Sequence, residues 1–172
     1  MSDTTLAAEA PALIERRGHV MIITLNRPQA RNAVNAEMCI RVGDALEDAE
    51  QDPDVRVVVL TGAGKAFCSG ADLGQMQPLQ GKSLGEQSAE TMEALTNRLI
   101  EDLHTLPFPV VTAVNGPCAG GGVGVALAAD VVLAARSAYF YLPFMPRLGI
   151  VPDLGSTWFL QRAIGRSRAV GL

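Results

Sequence analysis

The sequence predicts an α/β domain with mostly parallel strand pairing. Along the chain, apolar β-rich runs alternate with segments of helical apolar spacing, the order produced when helices cross over between parallel strands. The 172 residues, 48% hydrophobic and 19% charged, suffice for one well-buried core. No linker or repeat divides them.

Residues 1–17 lack a basic stretch followed by an apolar one, so they do not read as a signal peptide. They are expected to form a flexible tail, with the core domain spanning 18–172. "HVMIITLNRP" (19–28) is β-rich and stops at a proline, which predicts a strand. Over 35–54, apolar residues at 38, 42, 45, 46 and 49 have helical spacing, Asn35 can cap, and "DPD" ends the helix. "VRVVVLTG" (55–62) predicts a second strand. "GQMQPLQGKSLGEQ" (74–87) is a long polar loop, of a kind that covers sites or moves. A helix follows over 88–106, with Ser88 as its cap and apolar positions at 92, 95, 99 and 103. "FPVVTAVNG" (108–116) predicts a third strand. "GGVGVALAAD" (121–130) is a short helix apolar all round, hence buried. "VVLAARSAYFYLP" (131–143) returns to strand, and "PDLGSTWFLQRAIG" (152–165) is a capped turn into a helix. The last residues, "GRSRAVGL", read as a helix that is only starting, which suggests a fragment of something longer.

Composition excludes several functions. The net charge is −4 and the basic clusters (Arg16-Arg17, Arg162 to Arg168) are too sparse to track phosphates, so no nucleic-acid partner is expected. Three cysteines without CxxC spacing argue against a disulfide framework and for a reducing, cytoplasmic setting. Two histidines and no clustered cysteines leave a zinc site little to work with. The longest near-apolar run, Gly120 to Ala135, is interrupted by Asp130 and falls short of the roughly 18 residues of a membrane span.

"TGAGKAFCSG" (61–70) fails both nucleotide templates. Val59 and Ala66 stand where a P-loop needs Gly and Ser/Thr, and Phe67 stands where G-x-G-x-x-G needs its third glycine. Cys68 and Cys118 have no histidine nearby in sequence. What remains is a pair of glycine-bearing turns after strands, "FCSGADL" (67–73) and "NGPCAGGG" (115–122). Each can present a free backbone N–H, and glycine lets a substrate carbonyl approach without a Cβ in the way. That arrangement makes an oxyanion hole. The residues alone equally allow tight turns with close helix packing.

"LNRPQARNAVN" (25–35), "KAFCSGADL", "NGPCAGGG" and "LGIVPDLGSTWFL" together resemble, in order and spacing, the crotonase superfamily of enoyl-CoA hydratases and isomerases. The match runs from about residue 18 to the end. The resemblance implies a ββα spiral (superhelix) core whose C-terminal helical region is missing here, and a trimer or hexamer in the full-length form. It implies an acyl-CoA thioester substrate, with coenzyme A present only as part of that substrate and no metal or redox cofactor. By position in the motifs, the backbone N–H groups of Ala71 and Gly121 would hold the thioester oxygen. Arg27, Ala30, Arg31, Ser69, Gly70, Asp72 and Leu73 resemble CoA- or substrate-contacting positions.

Family members that hydrate carry one glutamate three residues after the middle glycine, where this chain has Gly124, and a second in a Pro-Glu pair, where it has Pro143-Phe144. Ordinary hydration is thereby in doubt, and Gly124 is expected to leave acyl space. Asp153 in "GIVPDLGST" stands where isomerases of the superfamily carry an acid, the phenylacetate-pathway branch being the most similar. Read as a residue, Asp153 is also a good helix cap. With the resemblance, the expectation is an acyl-CoA isomerase with Asp153 as acid and base. Hydration by another arrangement, thioester hydrolysis and non-catalytic acyl-CoA binding are the alternatives. Asp72 and Asp130 are rival acids, Asp72 expected to pin its turn and Asp130 to be structural.

Overall fold

The computed structural model describes residues 9–75, 81–144, 147, 149 and 151–171. The part of the expected tail that precedes residue 9 lies outside the described residues. The rest of that tail is not free. Ala12–Arg17 form strand β1, antiparallel to β2 (Val20–Leu25). Its burial falls almost wholly on Ala12 and then gives way to exposed Glu15, Arg16 and Arg17. An edge strand of this kind, ALIERR, shows no apolar alternation in the sequence.

From β2 the sheet continues in parallel through β3 (Val57–Gly62), β4 (Val110–Val114) and β6 (Val131–Ala134), in the order β1-β2-β3-β4-β6. A second, two-stranded sheet pairs β5 (Cys118–Ala119) with β7 (Phe140–Tyr141). The single strand expected over 131–143 is thus divided between two sheets, with a turn closed by Ala138 N–H to Ala135 O (2.9 Å). One face of the main sheet alternates cleanly into the core: Met21, Ile23 and Leu25 from β2, Val58 and Leu60 from β3, Val110 and Val114 from β4.

Helix α1 (Ala36–Gln51) begins where the spacing predicts. The Asn35 side chain accepts the Met38 N–H, a cap of the kind whose loss costs about 1 kcal/mol. Its buried stripe of Met38, Val42, Ala45, Leu46 and Ala49 faces the core. The next helix starts earlier than expected. Ser83, not Ser88, caps α2 (Leu84–Thr91), in a reciprocal capping box with Glu86. One π-helical turn, Met92–Thr96, joins α2 to α3 (Asn97–Thr105), which buries Leu99, Ile100 and Leu103. α4 (Gly121–Leu127) is buried from Gly121 to Ala126, as its apolar composition requires. It packs on α5 (Ser156–Ile164), and α6 (Arg166–Ala169) follows. Among the described residues no helix is long and apolar enough to cross a membrane.

Two asparagines, Asn32 buried and Asn115 half-buried, tie the loops at one end of the sheet. Asn32, fully buried, accepts the Arg27 N–H (2.9 Å) and donates to Ala63 O (2.9 Å) and Ala66 O (2.8 Å). Asn115 accepts the Gly62 N–H (3.2 Å) and donates to Gly64 O (3.1 Å). The stretch that fails as a nucleotide loop is therefore a clamped turn. Asp130 is structural too: its Oδ2 accepts the Val110 N–H at 2.8 Å.

Candidate active site

The turn after β3 meets the turn after β4. Ala119 N–H donates to Cys68 O (2.8 Å), within a bridge that pairs Cys68 with Cys118. Gly70 sits at φ +89°, and a Cβ there would lie 2.9 Å from the Gly121 nitrogen, so only glycine permits the approach.

The direction of the Ala71 N–H follows from its neighbours. Val34 N–H donates to Gly70 O (2.8 Å) and Asp72 N–H donates to Val34 O (2.9 Å). Gly70 C=O and Ala71 N–H belong to one trans peptide and point in opposite directions. The Ala71 N–H is therefore turned away from Val34. Gly121 opens α4, so its N–H has no intrahelical acceptor. Among the described residues neither N–H has a hydrogen-bond partner.

Asp153 closes the third side. Its Oδ1 is buried without a hydrogen-bond partner, and a Cβ on Gly121 would stand 3.1 Å from it. Burial pushes the Asp153 carboxyl above the usual aspartate value, against the smaller opposing effect of its own backbone N–H. The side chain does not cap α5. Gly155 occupies the cap position at φ +72°, and it is the main-chain oxygen of Asp153 that accepts the Ser156 N–H (2.9 Å). Leu154, at φ +49°, is a non-glycine residue in the left-handed region, a cost that tends to gather at functional sites.

Ala71, Asp153 and Leu154 border a cavity of about 220 Å³. Val34, Cys39, Met92, Leu95 and Leu154 form its apolar wall, and Ala71, Asp72 and Asp153 lie on its lining. Of the two carboxylates, Asp72 is bound to Arg27 (2.7 Å). Burial pushes the Cys39 thiol up to about 11 and the Cys68 thiol to about 12, which disfavours the thiolate a nucleophile needs.

One expectation is overturned. Gly124 leaves no acyl space: a Cβ there would overlap the carbonyl oxygen of Leu154 and stand 2.8 Å from its carbonyl carbon. The room is filled by main chain. Arg27, at a position expected to contact CoA or substrate, is bound internally to Ala33 O (2.6 Å) and Asp72. Ala30 O accepts from Ser69 Oγ (3.3 Å), while Arg31 and Leu73 lie exposed near the turn. Asn32, Leu154 and the cavity residues Met92 and Leu95 were not singled out by sequence reasoning. The spacing at 92 and 95 read only as a core stripe. Asn32 carried one usable signal, since asparagine tolerates the left-handed conformation it adopts (φ +55°).

Fold and site define an α/β protein with an apolar cleft lined by Ala71 and by one unpartnered buried acid, with Gly121 packed beside that acid. Residues 15–172 match the family model described as enoyl-CoA hydratase/isomerase. The chain is 43% identical over 153 residues to the 1,2-epoxyphenylacetyl-CoA isomerase of Escherichia coli, covering 89% of this chain and 58% of that protein. Among solved structures, an enoyl-CoA hydratase from Bacillus anthracis superposes with a TM-score of 0.86 at 35% identity, over 94% of this chain and 61% of that one. An enoyl-CoA hydratase from Polaromonas gives 0.85 at 36% identity, over 94% and 62%. The chain belongs to the enoyl-CoA hydratase/isomerase family and has the crotonase fold. It spans less than two thirds of the length of these relatives.

Proposed function

We propose that the protein is an acyl-CoA isomerase that moves a double bond by proton transfer. The observation that carries this reading is the buried, unpartnered Oδ1 of Asp153 beside Gly121, in a cleft whose other carboxylate is held by Arg27. One free carboxylate suits a shuttle better than hydration, which needs a positioned water and proton delivery as well.

The step balances on a 3-enoyl-CoA. The Asp153 carboxylate takes a proton from C2, and the C–H electron pair moves through the thioester carbonyl to its oxygen, giving a dienolate. The N–H groups of Ala71 and Gly121 donate to that oxygen, and losing one such donor typically costs about 10²–10³ in rate. Asp153, now protonated, returns the proton to C4, which leaves the 2-enoyl thioester and the carboxylate. Burial makes Asp153 a stronger base than an exposed aspartate, the direction this task requires. The E. coli relative is named an isomerase, which favours the reading; other relatives are named hydratases.

The test is incubation of the protein with a 3-enoyl-CoA in D₂O, followed by NMR. The expected product is the conjugated 2-enoyl-CoA, with Asp153→Asn abolishing turnover and sparing CoA binding. Turnover that survives in Asp153→Asn overturns the assignment of the base. A 3-hydroxyacyl product means hydration, and binding without turnover across a panel of acyl chains means a binding protein.

A further inference from the structure

We propose that the Arg27–Asp72 ion pair is a positioning device for the Ala71 N–H. This rests on the oxyanion role proposed above. The peptide that carries that N–H joins Gly70 to Ala71, and Gly70 is the residue least able to resist its rotation. Something else has to keep the N–H aimed into the cleft.

Arg27 is built into that place. Its Nη1 donates to Ala33 O (2.6 Å) and its Nη2 to Asp72 Oδ2 (2.7 Å). Ala33 is the residue before Val34 and Asp72 the residue after Ala71, and Val34 and Ala71 form the bridge that orients the peptide. One guanidinium thus staples both chains of the bridge. Each end is anchored in turn. Asp72 Oδ1 accepts the Gly74 N–H (3.1 Å), and the Arg27 backbone N–H donates to the buried Asn32. Both side chains are only 16% exposed, so the pair is sheltered from solvent screening. The planar fork of arginine reaches two divergent acceptors, which a lysine ammonium cannot do with the same geometry.

The experiment uses the whole protein and hexanoyl-CoA carrying ¹³C at the thioester carbonyl. Difference infrared spectroscopy reads the carbonyl stretch, which moves to lower frequency when two N–H groups polarise the bond. Turnover of a 3-enoyl-CoA and the Kd of free CoA are measured beside it. The expected result is a red shift in the wild type that is reduced in Arg27→Met and in Asp72→Asn. With it, kcat falls by about 10–10²-fold, the effect of misplacing a catalytic group by about an ångström. The Kd of CoA changes less than about twofold, and the double variant is no worse than the poorer single one, as coupled residues require. Arg27→Lys, which keeps the charge, is intermediate and stands in should Arg27→Met fail to fold.

A red shift unchanged in the variants, with the Kd of CoA raised about tenfold, overturns the proposal and makes Arg27 a phosphate contact. No red shift in the wild type overturns the oxyanion reading itself. The two failures are therefore distinguishable.

Discussion

Replacing Gly124 by alanine separates two opposed physical expectations by sign. Gly124 lies in the middle of α4, and alanine in a helix interior is favoured over glycine by roughly 0.5–1 kcal/mol. If position 124 faced open acyl space, Gly124→Ala would stabilise the protein and merely narrow the pocket. The structure places the Leu154 main chain there instead. The new Cβ would overlap the carbonyl oxygen, stand 2.8 Å from the carbonyl carbon and stand 3.0 Å from the Leu154 Cβ. Two main chains face each other, so no side-chain rotamer relieves the contact.

Overpacking of this kind costs about 1–3 kcal/mol, and the rigid contact puts the cost at the upper end. At about 2–4 °C per kcal/mol for a chain of this size, a net loss near 2 kcal/mol lowers Tm by roughly 4–8 °C. Relief by pushing Leu154 away moves its neighbour Asp153, so kcat should fall by about 10–10²-fold as well. Calorimetric melting and the NMR turnover assay read both effects. A Tm that rises, with turnover intact, refutes the filled-space reasoning. For the same reason Gly124→Glu should not introduce hydration, because the carboxylate has nowhere to go.

The raised Asp153 carboxyl makes two further expectations. The free-enzyme kcat/KM should climb as pH rises through its elevated pKa, since the proposed shuttle needs the ionised form as base. A group that binds its proton more tightly folded than unfolded stabilises in acid and loses that contribution as pH rises from the ordinary 3.8 through the folded value. Asp153→Asn should therefore gain Tm relative to the wild type as pH rises from about 4 to about 7, and a pH-independent difference would show no such linkage. Asn32→Ala removes three hydrogen bonds at a fully buried site and leaves alanine at φ +55°. Ala66 O keeps its bond from Asn115 Nδ2 (3.4 Å), so the Arg27 N–H and Ala63 O are the groups left unpaired. At about 1–3 kcal/mol for each, the loss should be at least about 2 kcal/mol, and a denaturant midpoint within error of the wild type would contradict that accounting.

Much of the frame is legible in the sequence because burial on one face imposes a period. β2, β3 and β4 alternate, α1 carries its stripe, and α4 is apolar throughout, so each announces itself. β1 does not, since it buries almost only Ala12, and α2 does not, since most of its surface is exposed and offers no period to read. Within the site, the glycine turns and Asp153 are legible as motifs. What each glycine makes room for is not. Gly124 and Gly121 both face Leu154, a neighbour supplied by a distant loop. Arg27 reads as a free cation until Asp72 is placed beside it.

The closeness of the two glycine-bearing turns depends on the direction of the strands that lead to them. β3 and β4 are adjacent and parallel, with Thr61 opposite Ala113, so both strands end at the same edge of the sheet. Their following turns are then neighbours, and the Cys68–Cys118 bridge locks one to the other. An antiparallel pairing of the same two strands would carry the turns to opposite edges, about five residues or some 16 Å apart at about 3.3 Å per residue. No choice of glycines could then bring Gly70 against the Gly121 nitrogen. Asn115 ties the start of the β3 turn to the end of β4, and Asn32 holds the far side of the same loop. The two turns therefore inherit their placement from a sheet register and two satisfied asparagines, while the helical wall and the Asp153 loop come from outside that frame.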